Sequence, residues 1–147
     1  MKKTVRHRLS QSDLLAIQQL NARYAHAFDN LVPNPAAAWA RTFTPDGCFV
    51  LVTTEGQLVA KARGTKRLME LHASFQHGAA VRHWFTNLAI DAQRNGARMT
   101  ALIMVLHVDA DPARIARTGV YSDRLVKLQG TWRFKERKVT LDPGSPN

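Results

Sequence analysis

The period of the hydrophobic pattern changes near residue 80, and this change constrains the fold more than any other feature of the sequence. Before residue 80, three segments have helical spacing around one short hairpin; after it, four long segments alternate apolar and polar residues. Helices that precede strands in this way indicate an α+β fold, with three helices on one face of a curved, mostly antiparallel sheet. A strongly bent sheet closed by a helix is a cone with one open mouth, and such mouths commonly bind ligands.

The first predicted helix covers 12–30 and combines apolar residues with two candidate site residues. Ser10 or Ser12 can cap its N-terminus, and Ser10 has Asp13 three residues later. The apolar stripe of the helix includes Tyr24, and the helix ends at an acid, Asp29. A stripe that carries an aromatic hydroxyl and ends in a carboxylate can pack in a core or line a pocket, so the sequence leaves both possibilities open here.

Two further helices and six strands are predicted from the remaining sequence. Asn34 and Thr65 stand where each helix would begin, and either residue type can cap a helix N-terminus. The chain is expected to form one domain over 1–147, with a basic arm at 1–9 and a tail at 142–147. The predicted helices cover 35–43 and 66–75, and the predicted strands cover 48–54, 57–62, 80–92, 98–109, 118–128 and 131–140.

Composition narrows the compartment and excludes several classes of protein. The 147 residues, 45% of them hydrophobic, suffice for one domain with a real core. The single cysteine, Cys48, excludes a disulfide framework within the chain and fits a reducing compartment. The apolar run at 101–108 is too short to span a bilayer as a helix, and no apolar segment follows the basic N-terminus as in a secretion signal. We therefore expect a cytoplasmic protein that does not span a membrane.

The formal net charge of +10 raises the question of a nucleic-acid partner. The basic residues are concentrated in separate segments at 1–8, 61–67 and 133–138, and no helix–turn–helix, zinc-finger or RNP-type motif accompanies them. Scattered basic segments are more often a solvated surface, which argues against nucleic acid as a partner. One cysteine and no pair of histidines four apart on a helix also predict that the chain has no metal site.

Four strings of sequence resemble one family of small α+β proteins. They lie across roughly residues 10–141 and read AIQQLNARYAHAFDN, WARTFTPDGCFV, VRHWFTNLAI and GVYSDRLVKLQGTWRFKERKV. The family is the SnoaL-like branch of the superfamily named for nuclear transport factor 2, which includes scytalone dehydratase and ketosteroid isomerase. The resemblance implies a cystatin-like α+β barrel. It implies less about the reaction, because this scaffold hosts dehydratases, isomerases, cyclases, hydrolases and non-catalytic subunits.

The local likeness is strongest to scytalone dehydratase and the bile-acid 7α-dehydratases, and it implies a set of catalytic residues. In those enzymes an acid after the tyrosine-bearing segment of the first helix and a histidine at the start of the third strand serve the pocket. Asp29, five residues after Tyr24, and His83 match them here. His107 lies near the position of a second histidine that pairs with the helix acid in scytalone dehydratase. The pocket tyrosine of that enzyme is replaced by Leu51, so the substrate is expected to differ.

The four candidate catalytic residues suit the loss of water from a hydroxy-carbonyl compound. Such an elimination needs a base for a carbon-bound proton, an acid for the leaving hydroxyl and a donor to the carbonyl oxygen. A histidine can be acid or base near neutral pH, a carboxylate can fix its tautomer, and a tyrosine hydroxyl can hold the oxygen. From the resemblance we expect a lyase or isomerase, without a cofactor, that acts on a hydrophobic ring-containing molecule. The expected substrate-binding residues are Phe49, Leu51, Phe75, Phe85, Met104, Tyr121 and Arg137.

Whether His83 and His107 can act together depends on the register of the hairpin that contains them. A two-residue loop at 95–96 would place His83 opposite Val108, and His107 on the other side of the sheet. A three-residue loop at 94–96 would place the two histidines directly opposite each other on one face. A bulge within the strands could also restore the common face.

Two other functions fit the same sequence. The first is a non-catalytic ligand-binding or assembly module, as in the β subunits of ring-hydroxylating dioxygenases, which share the fold. An enclosed pocket in which Asp29 contacts a histidine would favour the enzyme, whereas Asp29 in solvent would favour the module. The second is nucleic-acid binding, which predicts a continuous basic face. In each case we expect a homo-oligomer, a dimer or a trimer, because an open curved sheet leaves an outer face to be covered.

Overall fold

The computed structural model describes residues 7–75 and 80–145. Most of the predicted basic arm and the last two residues of the predicted tail lie outside the described residues. The predicted order of helices and strands is confirmed. The elements are α1 (Gln11–Phe28), α2 (Pro35–Ala40), β1 (Phe43–Val52), β2 (Leu58–Arg63), α3 (Thr65–Ser74), β3 (Val81–Gln93), β4 (Gly96–His107), β5 (Arg114–Leu128) and β6 (Thr131–Leu141).

The six strands form a single sheet in the order β2-β1-β6-β5-β4-β3. β1 pairs with β6 in parallel and every other neighbouring pair is antiparallel, so the predicted mostly antiparallel sheet is confirmed. Among the described strands, β2 and β3 stand at the two ends of the order, so the barrel implied by the resemblance is not closed. Helix α1 packs on β3 and β6, and α3 packs on β1 and β2. The helices thus cover one face of the sheet, and the hydrophobic core lies between the helices and that face.

Helix α1 delivers an acid to the edge of this core. Its N-terminus has the predicted capping box: Ser10 Oγ accepts the backbone N–H of Asp13 at 3.0 Å, and the Asp13 carboxylate accepts the backbone N–H of Ser10 at 3.1 Å. Ile17 and Tyr24, both on the apolar stripe, are fully buried. The helix ends at Phe28, so Asp29 is its C-cap.

Of the other two predicted helix caps, Asn34 is at the cap position of its helix and Thr65 is not. Asn34 precedes α2, but its backbone is left-handed, with φ of 49°, and its side chain makes no capping hydrogen bond. Thr65 is the first residue of α3, and Gly64, with φ of 84°, occupies the cap position. At both boundaries a residue with positive φ turns the chain into the helix, so backbone conformation rather than a side-chain oxygen determines where the helix begins.

Two strands begin earlier than predicted. β1 begins at Phe43, which already pairs with β6, instead of at the predicted residue 48, and the strand is irregular between Phe43 and Cys48. β5 begins at Arg114, which pairs with His107, instead of at the predicted residue 118. Both differences arise from cross-strand pairing, which a local pattern of turn residues does not reveal.

Two features are absent from the described ranges. No helix in 7–75 or 80–145 is long and apolar enough to cross a membrane. The same residues contain no group of three or more His, Cys, Asp or Glu side chains placed to hold a metal ion.

Candidate active site

The carboxylate of Asp29 and the imidazole of His83 form the polar centre of the site. Oδ1 of Asp29 lies 2.5 Å from Nδ1 of His83, and Oδ2 accepts the backbone N–H of His83 at 2.8 Å. The side chains of Asp29 and His83 are only 4% and 6% exposed. Two hydrogen bonds between the same two residues fix the imidazole relative to the carboxylate, as in an acid–histidine pair of an enzyme.

This contact determines which imidazole nitrogen carries the proton. An ionised carboxylate only accepts hydrogen bonds, so Nδ1 of His83 is the donor. In the neutral ring Nε2 is then the basic nitrogen. A carboxylate at Nδ1 also stabilises the imidazolium that forms when Nε2 takes a proton. The pair can therefore accept a proton from a bound molecule and return it.

Packing on the helical side holds the acid in place. The ring of Phe28 meets the ring of His83 edge to face, with 4.5 Å between their centroids. Nε2–H of His72, on α3, donates to the carbonyl oxygen of Ala27 at 3.0 Å and ties α3 to the last turn of α1. Burial lowers the pKa of His72, so this imidazole is neutral near pH 7. The C-terminus of α1, and with it Asp29, is anchored on both sides.

A cavity of about 330 Å³ opens beside the pair. This volume is at the lower end of the range for ligand pockets, roughly 300–1,000 Å³, and suits a molecule of one or two rings. Its wall is mainly apolar, and the polar exceptions include both histidines that the sequence singled out. Of the residues predicted to bind substrate, those on the wall are Phe49, Leu51, Phe75 and Tyr121.

The turn between β3 and β4 matches neither predicted loop. Gln93 pairs with Gly96, so the two residues between them form the turn. The register then shifts between Thr86 and Ala89, where Asn87 has a left-handed backbone with φ of 53°. The hairpin therefore contains a β-bulge, which was the third way to place the histidines on one face.

Beyond the bulge, His83 and His107 share the inner face of the sheet. His83 is directly opposite Val105, and His107 follows Val105 by two residues on β4. Residues two apart on a strand point to the same side. Both histidines line the cavity, His107 diagonally across from His83 rather than opposite it. Asp29 is hydrogen-bonded to His83, so the helix acid pairs with the histidine of β3.

Tyr24 does not line the cavity, in contrast to the prediction. It is fully buried behind the cavity wall, and its hydroxyl lies 3.4 Å from the hydroxyl of Tyr121. Tyr121 does line the cavity. Burial raises the pKa of Tyr121 to about 12 and that of Tyr24 well above its usual range, so both hydroxyls are neutral at pH 7. Of the two tyrosines, the one that lines the cavity is therefore Tyr121.

Arg137 is also a core residue rather than a cavity residue. Its Nε and Nη2 donate to the two carboxylate oxygens of Asp123, each at 2.9 Å, and Nη2 also donates to Oδ1 of Asn21 at 2.7 Å. The guanidinium carbon of Arg137 lies 4.2 Å from the ring centroid of Tyr24 and 3.9 Å from that of Phe134. Arg137 thus supports the aromatic layer behind the cavity. It does not line the cavity, in contrast to its predicted role as a substrate-binding residue.

Two other predicted substrate contacts lie elsewhere. Met104 alternates with the cavity residues Ile103 and Val105 along β4, so it belongs to the outer face of the sheet. Phe85 is on the inner face but behind the wall, with its ring centroid 4.9 Å from that of Tyr121. The residue type alone, aromatic or apolar, could not distinguish these two positions from those that line the cavity. That distinction requires knowing which residues of each strand point inward.

Sequence analysis missed one charged residue of the cavity wall, Arg117. It stands just before the predicted strand at 118–128 and was assigned to no element. The structure pairs Arg117 with Val105 and places it on the wall. The alternation of the strand contained the signal, because Arg117 precedes Tyr121 and Asp123 by an even number of residues and so points to the same side. Starting the predicted strand at residue 118 excluded Arg117 from this pattern.

Comparison with known proteins agrees with this architecture. The sequence profile of the SnoaL-like domain matches residues 10–138. No match was found among curated proteins.

Several solved structures have the same fold. A cystatin-like protein of unknown function from Nostoc punctiforme is 25% identical, with a TM-score of 0.77 over 95% of this chain and 98% of that one. A protein from Catenulispora acidiphila, solved in complex with S-DNPA, is 30% identical, with a TM-score of 0.73 over 90% of this chain and 96% of that one. A provisionally named scytalone dehydratase from Novosphingobium aromaticivorans is 22% identical, with a TM-score of 0.67 over 89% and 85%, and this likeness shows the fold alone.

Proposed function

The chain belongs to the SnoaL-like domain family of the nuclear transport factor 2-like superfamily, and from that premise we propose that it is a small-molecule lyase or isomerase. The most direct form of the proposal is a dehydratase that removes water from a hydrophobic, ring-containing hydroxy-carbonyl compound. The observation that carries it is the buried pair of Asp29 and His83 beside an apolar cavity. Burying a carboxylate is costly, and Asp29, unlike the buried Asp123 of the core, is paired with a histidine that lines the cavity, so this contact favours an enzyme.

In the proposed reaction, His83 removes a proton from the carbon next to the substrate carbonyl. The C–H bond breaks, its proton passes to Nε2, and its electron pair becomes part of the enolate. Asp29 accepts the hydrogen bond from Nδ1 throughout and stabilises the resulting imidazolium. The apolar wall keeps water away, which strengthens the interaction between these charges.

The second half of the reaction expels the hydroxyl group from the neighbouring carbon. The enolate electrons form the new C=C bond, the C–O bond breaks, and the leaving oxygen takes the proton from the His83 imidazolium and departs as water. This syn route returns His83 to its neutral form. His107 lines the same cavity and can orient the leaving hydroxyl by a hydrogen bond.

Tyr121 is the proposed donor to the carbonyl oxygen. Tyr121 lines the cavity, and a neutral hydroxyl can donate to an oxygen whose negative charge increases as the proton leaves. The hydroxyl of Tyr24, 3.4 Å away, can accept or donate to it and so orient it from behind. The resemblance predicted Tyr24 as this donor; we assign the role to Tyr121 instead, with Tyr24 as a positioning residue.

One comparison supports a small-molecule ligand. The 30% identical protein from Catenulispora acidiphila was solved in complex with S-DNPA, so a relative with this fold binds a small molecule. The family profile alone does not distinguish a dehydratase from an isomerase. For this chain, the pairing of Asp29 with His83, which lines the cavity, is what favours proton transfer to and from carbon.

Turnover by single-residue variants tests the proposal. Cyclic β-hydroxy ketones are screened for loss of water through the ultraviolet absorbance of the conjugated enone that forms. On the best substrate, His83→Gln is expected to lower kcat by about 10²- to 10⁴-fold. His26→Gln is the matched control, since His26 is exposed on α1 and does not line the cavity. A His83→Gln enzyme as fast as the native protein would show that the proposed base is wrong.

We also propose that a second copy of the chain covers the outer face of the sheet, as a homodimer or, second, a trimer. On that face Trp84 and Ile115 are each 56% exposed and Leu102 is 40% exposed. They lie on the adjacent strands β3, β5 and β4. A tryptophan of this exposure among apolar neighbours is typical of an interface anchor.

A further inference from the structure

Arg117 places a positive charge on the wall of the apolar cavity. It lies on β5 in register with Val105 of β4, which is in turn in register with His83 of β3. The three residues form one row across the inner face. Neighbouring strands are about 4.8 Å apart, so the backbones of His83 and Arg117 are separated by about 10 Å. A molecule that reaches both side chains must lie across β4.

No acidic side chain pairs with Arg117. Within residues 7–75 and 80–145 the structure shows no hydrogen bond or ion pair from its guanidinium. All 11 Asp and Glu residues of the chain lie in those ranges, so the rest of the chain has no acidic side chain to offer. Asp29 is committed to His83 by both of its oxygens. A half-buried guanidinium among apolar side chains loses part of its hydration, so an anion in the cavity would be stabilised there.

From this arrangement we infer that the substrate carries a carboxylate and that Arg117 binds it. The two oxygens of a carboxylate match the planar fork of a guanidinium in a bidentate contact. A phosphate group fits the wall less well, because phosphate sites commonly use several backbone N–H groups or a helix N-terminus. The wall is lined by residues near the C-termini of α1 and α3 and by strand residues, not by the first turn of any described helix.

The inference rests on the proposed function and narrows its substrate class. The substrate is then a ring-containing hydroxy-carbonyl acid, with its carboxylate at Arg117 and its reacting carbon at Nε2 of His83. The apolar rings lie between these poles, over Ile103 and Val105. An ionic anchor at one end decides which C–H bond faces the base, so Arg117 is a specificity-determining residue.

Equilibrium binding of a matched pair of ligands tests the inference without any turnover. Isothermal titration calorimetry compares 2-naphthoate with its neutral isostere 2-naphthamide on the full chain. The native protein is expected to prefer the naphthoate by roughly tenfold or more. Arg117→Gln should abolish this preference while it changes the affinity for the amide by less than about twofold. Arg114→Gln is the matched control, because Arg114 is on the same strand but is exposed and is not part of the cavity wall.

Each contrary outcome has a defined meaning. Equal affinities in the native protein, binding of neither ligand, or a preference that survives Arg117→Gln would overturn the inference. An equal loss of the preference in Arg114→Gln would also overturn it, since the preference would then reflect the net positive charge. Tighter binding of 2-naphthyl phosphate than of 2-naphthoate would overturn the choice of carboxylate. Should Arg117→Gln not fold, Arg117→Lys decides: it keeps the charge, loses the fork and is expected to weaken the preference. Failure of the proposed catalysis shows separately, as unchanged turnover in His83→Gln.

Discussion

Replacing Asp29 with Asn keeps the shape of the side chain and removes its charge, so it isolates what the carboxylate does for His83. In the native protein both carboxylate oxygens accept hydrogen bonds from His83, one from Nδ1 at 2.5 Å and one from the backbone N–H at 2.8 Å. An amide has only one accepting oxygen. If that oxygen stays on the backbone N–H, the amide N–H faces Nδ1, and the imidazole must carry its proton on Nε2. The basic nitrogen that the cavity needs is then lost.

The burial of this contact sets the expected magnitudes. The Asp29 side chain is 4% exposed, so solvent screens the bond little, and its loss should lower the free energy of unfolding by about 1.5–3 kcal/mol. Turnover should fall much further, because both the tautomer and the stabilisation of the imidazolium are lost. The same substitution in a serine protease triad lowers kcat by about 10⁴ through the wrong tautomer. We expect a decrease of about 10³- to 10⁴-fold here.

Nitrogen-15 NMR of the His83 ring checks the reasoning before any substrate is known. The native protein should show a proton on Nδ1 and none on Nε2 in the neutral ring, and Asp29→Asn should show the reverse. Urea denaturation gives the change in stability, with Asp91→Asn, an exposed acid on β3, as the control. If Asp29→Asn retains the Nδ1–H tautomer and full turnover, Asp29 does not control the imidazole and the argument fails.

Three other contacts lead to predictions. Arg137→Met leaves Asp123 buried without its cation, so the free energy of unfolding should fall by about 3–5 kcal/mol in urea denaturation, and an unchanged midpoint would contradict the role of the pair. Hydrogen bonds, the largest from the Trp132 indole, lower the pKa of Asp13 below its usual 3.8, so the stability it adds is present above that pH and is lost as pH falls. The midpoint of thermal unfolding should therefore drop less steeply below about pH 4 in Asp13→Asn, and parallel curves would contradict this. Trp84→Glu should convert the proposed oligomer to monomer in size-exclusion chromatography with light scattering, and an unchanged mass would exclude this face.

The parts of the fold that the sequence predicted correctly depend on local patterns. The helical period of α1, its capping box at Ser10 and Asp13, and the alternation in the later strands are all properties of neighbouring residues. The parallel pairing of β1 with β6 could not be predicted in this way, since the two strands lie at opposite ends of the chain. Family strings supplied Asp29 and His83, whereas the contact between them is known only from the structure.

The burial of Arg137 shows why charge-rich segments are read wrongly. The segment at 133–138 has the composition of a solvated surface. In the structure the register between β5 and β6 shifts between Arg124 and Leu125, so that β6 contributes an extra residue there. Asp123 is then directly opposite Arg137. Two charges that look exposed in the sequence become a buried pair because a long-range register turns both inward.

The bulge at Asn87 has the same kind of effect on the site itself. From the turn as far as Ala89 the hairpin keeps one register, and beyond Asn87 the register is shifted by one residue. Without that shift Trp84, not His83, would be opposite Val105 and would point into the cavity. His83 would then face away from Asp29, and the exposed tryptophan of the outer face would be buried inside. One asparagine in a left-handed conformation, which asparagine tolerates better than most residues, therefore positions both the proposed base and the proposed oligomer contact.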